Sequence, residues 1–257
     1  MYNLDFINQS PKSFVINEND DIIASFLEEA SFIYYNTEKQ LVSDTIYDIV
    51  FDTFKNKIPT HIFFKSIGSN VKDTKTKLPM YMGSQNKIKT HKELKIWISK
   101  NNNDNYLITP KLDGSSALLE YNNGQIYLYS RGNGNYGKNL SHLVKYLNLP
   151  LLDINIFIRG ELIISKKNFK KYENEYSAPR NMVNSITSNK DVNQEKIKCL
   201  DFVAFELYDN NINLESKLEL LQNFGINNVL NEKVDYSEII LWDSDTSNFL
   251  LNKLNYL

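Results

Sequence analysis

The sequence predicts an α+β fold, because helical patterns and β-hairpin signals follow one another without a regular alternation. Apolar residues recur at helical spacing from Asp21 to Tyr34 and again from Ile46 to Phe54. In the middle of the chain, Asn123-Gly124 separates two short apolar runs, which is the strongest short signal for a hairpin. Helices around hairpins favour antiparallel sheets over a repeating parallel unit.

Length and composition place the chain among ordinary globular proteins. The 257 residues are 42% hydrophobic and 23% charged, which excludes disordered, collagen-like and membrane classes. The net charge of −2 gives no global attraction for nucleic acid, so such binding has to come from a local patch. Cys199 is the single cysteine, which excludes an internal disulfide, and only three histidines accompany it, which argues against a zinc site of the Cys/His type.

The N-terminus predicts neither secretion nor membrane insertion. It is polar and slightly acidic, and no apolar run reaches the roughly 20 residues that span a bilayer. We therefore expect a cytoplasmic protein, or one in the nucleus or a viral factory if the source is a eukaryotic virus. No membrane partner is expected.

The first half of the chain predicts two helices followed by a connector. Residues 1–18 show no clear period and are expected to be an extended, polar lead-in. A helix begins at Asp21, and a second has Ser43 or Asp44 as its N-cap. Pro59 closes this pair, which we interpret as a helical subdomain of residues 1–60. Residues 60–86 form a loop-rich connector, and a helix with His91 and Trp97 follows.

The second half predicts strands with helices between them. Predicted strands are residues 106–108, 117–121, 125–129, 154–164 and 200–207, and predicted helices are residues 165–175, 215–224 and 246–257. Gly225 is placed to end the helix before it. The last helix lacks a capping residue, which suggests that the second domain, residues 61–257, is incomplete at its C-terminus.

Four short motifs carry the chemistry. Lys111-Leu112-Asp113-Gly114 directly follows a predicted strand, where a reactive side chain can be displayed, although a short motif alone also fits a polar turn. Ser130 to Gly137 has three glycines around Arg131, which suits a loop that approaches a phosphate and equally suits a flexible surface loop. Arg159-Gly160-Glu161 interrupts an apolar strand, and its charges need a ligand or a pair at a strand edge. Ala178 to Asn181 is a turn that carries Arg180.

In their order and spacing, these motifs resemble the nucleotidyltransferase superfamily of polynucleotide ligases and capping enzymes. The resemblance implies a nucleotidyltransferase domain of antiparallel sheets flanked by helices. It implies that Lys111 attacks the α-phosphorus of a nucleotide and that Asp113 orients Lys111 or holds a metal. It also implies that Glu161 binds the ribose hydroxyls and that Arg131 contacts phosphate.

The N-terminal helices sharpen the resemblance to NAD-dependent DNA ligases. Tyr34-Tyr35 and the later Asp44, Tyr47 and Asp48 are similar to the signature that binds nicotinamide mononucleotide (NMN) in that family. The last three lie three and four positions apart, hence on one helix face. A ring can stack on nicotinamide while carboxylates meet its positive charge and the ribose hydroxyls. The alternative is that Tyr47 packs in the core and that Asp44 caps the helix.

Further parts of the sequence both match and depart from the family. Residues 79–87 resemble its linker, which places Ser84 and Gln85 at the cofactor. The family's adenine-reading Glu is replaced by Thr109, whose hydroxyl still accepts a hydrogen bond. Arg180 corresponds to a DNA-facing arginine, and Lys190 is a possible substitute for a second one that is missing. The resemblance implies Mg²⁺ as a cofactor and nicked double-stranded DNA as a partner. The sequence identifies no dedicated protein ligands for the Mg²⁺.

Two other functions remain open. An ATP-using RNA ligase or capping enzyme has the same lysine motif, but the Asp44-Tyr47-Asp48 face favours NAD. An inactive nicked-DNA-binding module is the alternative outside enzymes, with a patch formed by Lys166, Lys167, Lys170, Lys171 and Arg180. A solvated helix face explains the four lysines equally well. Against the family, the chain lacks the later ligase segments, so we expect a fragment or a split protein whose missing domains come from a separate chain.

Overall fold

Helices and antiparallel strands follow one another irregularly along the chain, which confirms the predicted α+β class. The computed structural model describes residues 2–36, 40–65, 76–83, 85, 87–88, 90–101, 103–189, 193–209, 211–235 and 239. At positions 35, 36 and 65 only the backbone is described. The predicted helix at residues 246–257 lies outside this part of the chain. Among the described helices, none has the length and apolar character needed to cross a membrane.

Four helices form the N-terminal part: α1 (Leu4–Gln9), α2 (Pro11–Asn17), α3 (Asp20–Asn36) and α4 (Asp44–Lys57). The extended lead-in predicted for residues 1–18 is wrong, because α1 and α2 occupy it. The side chain of Asn3 caps α1 by accepting a hydrogen bond from the Phe6 amide, and Pro11 begins α2. With six and seven residues, these helices are too short to show a helical period in the sequence.

The helical pair α3–α4 begins and packs as its sequence predicts. Ser43 is the N-cap of α4, because its hydroxyl accepts a hydrogen bond of 3.3 Å from the Ile46 amide. Asp44 is therefore the first helical residue and its carboxylate is not the cap. The apolar faces of α1–α4 meet in one core, in which Ile23, Phe26 and Phe54 are fully buried.

Besides two 3-10 helices, Ile62–Lys65 and Ser141–Tyr146, the rest of the described chain contains eight strands and five further α-helices. In chain order these are β1 (Thr76–Lys77), α5 (His91–Lys100), β2 (Asn105–Ile108), β3 (Ser115–Asn122), β4 (Gln125–Ser130), β5 (Tyr136–Gly137), β6 (Ile156–Ile164), α6 (Lys166–Phe169), α7 (Pro179–Ser188), α8 (Gln194–Ile197), β7 (Leu200–Leu207), α9 (Leu214–Asn223) and β8 (Glu232–Asp235). The predicted Lys-rich helix 165–175 shortens to α6. Only Phe169 and Tyr172 of this stretch pack on the core, which is too little apolar surface for a longer helix.

The main sheet is antiparallel and has the strand order β4-β3-β6-β7. The β3–β4 hairpin turns at Asn123 and Gly124, both with positive φ (50° and 73°), which is the backbone that the Asn-Gly signal predicts. The strands β1 and β5 form one small sheet, and β2 and β8 form another. Gly225 ends α9 with φ of 77°, as predicted.

The two faces of the main sheet have different characters. On one face, buried side chains such as Leu119, Ile158 and Leu162 pack beneath α7 and α9 in the larger core. Along β6 burial alternates strictly, so Arg159 and Glu161 point to the opposite face. That second face opens towards the helical pair, and the functional side chains lie there.

Candidate active site

The Lys111-Leu112-Asp113-Gly114 motif lies between β2 and β3, at the edge of a cleft of about 1910 Å³. Gly114 is the residue that brings this loop against the sheet. A Cβ at Gly114 would lie 2.0 Å from the carbonyl oxygen of Leu162, so only glycine allows the backbones to approach this closely. The close approach holds Lys111 and Asp113 beside the cleft-facing side of β6.

Glu161 is a carboxylate that interacts with this motif. The Ser116 hydroxyl donates a hydrogen bond of 2.8 Å to Glu161 Oε2, and the Gly114 amide also donates to the carboxylate. Burial raises the pKa of Glu161, whereas the Ser116 hydrogen bond and the positive charge of Lys111 counteract the rise. The pair of Lys111 and Glu161 therefore combines an exposed amine with a half-buried, hydrogen-bonded carboxylate.

Hydrogen bonds hold the glycine-rich loop within itself and to the main sheet. The Asn133 side chain accepts hydrogen bonds from the amides of Asn135 and Tyr136. Gly132 has φ of 52°, and a Cβ there would meet the Tyr136 carbonyl oxygen at 2.0 Å. The Arg131 amide donates to the Ser116 carbonyl, which ties the loop to β3 and places Arg131 at the cleft.

Arg180, at the start of α7, joins the lysine motif to the helical pair. Its Nη1 lies 2.8 Å from Asp113 Oδ1, and its Nη2 lies 2.8 Å from Asp44 Oδ2. The guanidinium carbon is 4.5 Å from the centre of the Tyr34 ring, which is a cation–π distance. The sequence-based prediction made Arg180 a DNA contact, and in this structure its guanidinium is engaged by two carboxylates within the cleft.

The predicted face of α4 also lines the cleft. Asp44, Tyr47 and Asp48 all contribute to it. The Tyr47 ring is half-buried and stacks on Phe51, so packing in the core and exposure to the cleft both hold. Asp48 accepts hydrogen bonds of 3.0 and 3.2 Å from Lys87 Nζ. Both carboxylates of this face are thus held by cations that come from outside the helical pair.

The remaining predicted site residues divide into those at the cleft and those outside the described part. Thr109 and Gln85 are exposed and line the cleft, as does Tyr34. Ser84, Lys190 and the Tyr35 side chain lie outside the described residues. The structure therefore gathers into one cleft those predicted site residues whose side chains it describes: Tyr34, Asp44, Tyr47, Asp48, Gln85, Thr109, Lys111, Asp113, Arg131, Glu161 and Arg180.

Sequence reasoning missed Arg159, Ser116, Glu206 and Lys87 as site residues. One of the two open interpretations was an Arg–Glu pair at a strand edge, but β6 is an inner strand, and the partner of Arg159 is Glu206 on β7 at 2.9 Å. The alternation of charged and apolar residues in β6 could have identified Arg159 as a site residue, because it places this side chain on the same face as Glu161. Its cross-strand partner depends on register, which the sequence does not reveal.

No group of three or more His, Cys, Asp or Glu side chains is positioned to hold a metal ion among the described residues. Mg²⁺ in nucleotide sites needs only one or two carboxylates, because substrate phosphates and water complete its shell. Asp113 and Glu161 are close enough to interact electrostatically and provide that kind of donor.

The fold and cleft define a class of protein. An amine presented just after a strand end, a carboxylate on the main sheet beside it and a glycine-rich loop with an arginine are the elements of a nucleotidyltransferase. The family model described as "NAD-dependent DNA ligase adenylation domain" matches residues 69–240, which is more than half of the chain. The chain belongs to this family.

Curated relatives extend the similarity into the helical pair. A DNA ligase of Acanthamoeba polyphaga mimivirus is 39% identical over 212 residues, covering 79% of this chain and 33% of that protein. A DNA ligase-like protein of Invertebrate iridescent virus 6 is 32% identical over 246 residues, 94% of this chain and 38% of that protein. A DNA ligase from a strain of Helicobacter pylori is 28% identical over 245 residues, with 83% and 37% covered.

The chain spans little more than a third of the length of these relatives. Among solved structures, an RNA ligase of Naegleria gruberi, whose title records ATP and manganese, overlaps with 66% of this chain and 48% of its own. Its TM-score is 0.37 at 19% identity.

Proposed function

We propose that this chain uses NAD to form an adenylyl-lysine at Lys111 and releases NMN, as the first step in sealing nicks in DNA. The carrying observation is that Arg180 bonds both Asp44, on the predicted NMN-binding face, and Asp113, in the lysine motif. One cleft thereby holds a nucleophile and a separate site for a leaving group. The proposed domain division, residues 1–60 and 61–257, assigns the leaving-group site to the first domain.

The reaction is a displacement at phosphorus. The neutral Lys111 Nζ attacks the α-phosphorus of the adenylyl group, an N–P bond forms, and the P–O bond to NMN breaks. NMN leaves with the electron pair on its phosphate oxygen, and the amine loses a proton to solvent. Arg131 is the cation that would offset charge on the pyrophosphate, since guanidinium groups suit phosphate. Asp113 orients Lys111, and Glu161, held by Ser116, would accept hydrogen bonds from the ribose hydroxyls.

Several binding roles belong to the same proposal. Asp44, Tyr47 and Asp48, with Tyr34 and Tyr35, would hold the nicotinamide and its ribose. Ser84, Gln85 and Thr109 would surround the adenosine. Bound Mg²⁺ would supply a positive charge at the pyrophosphate, with Asp113 or Glu161 as its protein ligand.

Nicked double-stranded DNA is the proposed partner. Arg180 and Lys190 are the proposed contacts to its phosphates. Because the chain spans little more than a third of its relatives, we propose that the remaining ligase domains are supplied by a separate chain or by further sequence. Under this proposal the chain alone forms the adenylyl-lysine, whereas sealing needs those domains.

Mass spectrometry after incubation with NAD and Mg²⁺ tests the proposal. We expect one added adenylyl group on Lys111 and none on the Lys111→Ala variant. A matched control is Lys198→Met, which removes an exposed lysine paired with Glu195 outside the cleft and leaves labelling intact. Labelling that persists in Lys111→Ala would exclude Lys111 as the nucleophile.

The two alternatives give different results in the same assay. An ATP-using enzyme would label with ATP and not with NAD. An inert DNA-binding module would label with neither and would still shift nicked duplex in a gel without nucleotide. The four lysines proposed for a DNA-binding patch are all exposed: Lys166, Lys167, Lys170 and Lys171. Their exposure fits a phosphate-binding patch and equally fits a solvated surface.

A further inference from the structure

Arg159 lies at the floor of the cleft and makes contacts that the proposed reaction does not require. Only 15% of its side chain is exposed. Its Nη1 lies 2.9 Å from Glu206 Oε2 on β7, and its Nη2 donates a hydrogen bond of 2.9 Å to the Gly83 carbonyl oxygen in the connector. The guanidinium carbon is 5.8 Å from the centre of the Phe205 ring. One side chain thus joins two strands of the sheet to a loop that is distant in sequence.

A β-bulge creates the partner of Arg159. Gly160 pairs with Ala204, but Arg159 pairs with Glu206, so Phe205 is an extra residue on β7. In a regular register Arg159 would oppose Phe205, and Glu206 would point to the core, because side chains alternate along a strand. The bulge turns Glu206 to the cleft, and burial along β7 changes accordingly, with Phe205 and Glu206 both half-buried.

The loop that Arg159 holds is attached on its other side to the glycine-rich loop. The Leu78 amide donates to the Asn135 carbonyl at 2.8 Å, and the Met82 amide donates to the Gly134 carbonyl at 2.9 Å. The Met82 side chain is fully buried against the sheet. The Gly83 carbonyl bond to Arg159 follows directly, and beyond it lie Gln85 and Lys87, which line the cleft.

We infer that Arg159 is a positioning residue that clamps Met82 and Gly83 to the sheet as one wall of the nucleotide site. Two acceptors at fixed positions need the forked geometry of arginine, since a lysine ammonium is a single point charge. The clamped residue Gly83 comes four residues before Lys87, whose ammonium group donates a hydrogen bond to Asp48. This inference rests on the proposed function for the identity of the nucleotide, but not for the clamp itself.

Hydrogen exchange on the full chain measures the clamp directly. In Arg159→Met we expect amide exchange in the peptide covering residues 80–88 to accelerate by about ten-fold, with β3 unchanged, because local opening loses one anchoring bond. Arg159→Lys should fall between the variant and the unmodified chain. Lys198→Met, which removes an exposed cation elsewhere, should leave both peptides unchanged. Unaltered exchange of residues 80–88 in Arg159→Met would overturn the inference.

Adenylyl transfer gives the second measurement. We expect Arg159→Met to raise KM for NAD by about ten-fold while kcat stays within about two-fold, because the wall binds substrate without touching the reacting atoms. Arg159→Lys should recover part of the loss. A fall in kcat with unchanged KM would show that Arg159 does not shape the binding wall. If Arg159→Met does not fold, Arg159→Lys and Glu206→Gln are compared by the same exchange measurement. Glu206→Gln keeps the hydrogen bond from Arg159 to Gly83, so we expect faster amide exchange in residues 80–88 only in Arg159→Lys.

The two proposals fail in different ways. Absence of labelling by NAD in the unmodified chain would contradict the proposed function, and hydrogen exchange would still decide the clamp. Normal labelling together with unaltered exchange in both Arg159 variants would contradict the clamp alone.

Discussion

In the proposed reaction, the binding of the ribose depends on how Glu161 is held beside Lys111. A buried carboxylate is costly unless hydrogen bonds stabilise its charge. Ser116 provides one such bond from the neighbouring strand, where it is the register partner of Glu161. The sequence motif identified Glu161, but Ser116 was not recognised, because strand register decides which side chains face each other.

Replacing Ser116 tests how the charged form of Glu161 is stabilised. Burial already raises the pKa of Glu161, and the Ser116 hydrogen bond lowers it. In Ser116→Ala the pKa of Glu161 should rise further. As the pH is lowered, Glu161 is then protonated at a higher pH than in the unmodified chain, and activity falls at that higher pH. We expect the acidic limb of kcat/KM for adenylyl transfer to move to higher pH, with about a ten-fold loss of rate on that limb.

Ser116→Thr is the matched variant, because it keeps the hydroxyl. Its pH profile should coincide with that of the unmodified chain. An acidic limb that stays in place in Ser116→Ala, whatever the overall rate, would contradict a role for Ser116 in holding the carboxylate charge.

At the level of elements, the sequence predicted those whose signal is local. Asn123-Gly124 predicted the β3–β4 hairpin, and Gly225 predicted the end of α9. Both predictions rest on the ability of asparagine and glycine to adopt the positive φ that these turns need. Ser43 likewise caps the N-terminus of α4. The short helices α1 and α2 were missed, since their stability comes from packing on α3 and α4 rather than from a period of their own.

The burial of α2 gives a stability prediction. Phe14 is 2% exposed and packs edge-on against Phe26 at 5.6 Å, whereas Ile16 on the same helix is 67% exposed. Phe14→Ala should lower the free energy of unfolding by about 3 kcal/mol, because it leaves a cavity in the helical core. Ile16→Ala should change it by less than about 0.5 kcal/mol.

Urea unfolding monitored by circular dichroism measures both variants. If residues 1–18 were an extended lead-in, the two substitutions would have equally small effects. The size of the difference between Phe14→Ala and Ile16→Ala therefore decides whether α2 belongs to the fold of the helical pair.

At the scale of the whole molecule, the two largest hydrophobic cores of the described residues lie on either side of one cleft. The helical core and the core beneath the sheet are separate clusters of buried residues. Polar contacts link them: Arg180 to Asp44, Lys87 to Asp48, and the Asn184 side chain to the Tyr34 carbonyl at 2.9 Å. Motif order predicted that both parts serve one reaction, but these links depend on side-chain geometry that no local pattern encodes.

A ligand that spans both parts should stabilise the chain more than one that binds a single part. In the Lys111→Met background, which prevents transfer, NAD at about 100 times its Kd should add about 2.7 kcal/mol and raise Tm by about 5 °C or more. Under the proposed binding mode, AMP would contact only the side of the cleft that carries Lys111 and Glu161. Asp48→Asn should therefore reduce the Tm shift with NAD and leave the shift with AMP unchanged.

Thermal unfolding of the two variants with each ligand separates the contributions of the two parts. Asp48 lies on the α4 face, at 3.0 Å from Lys87, so its substitution alters the helical side of the cleft without removing a residue of the sheet. A loss of the AMP shift equal to the loss of the NAD shift would mean that Asp48 supports the whole cleft. An unchanged NAD shift would remove α4 from the proposed leaving-group site, because a positive nicotinamide bound there must gain from the carboxylate.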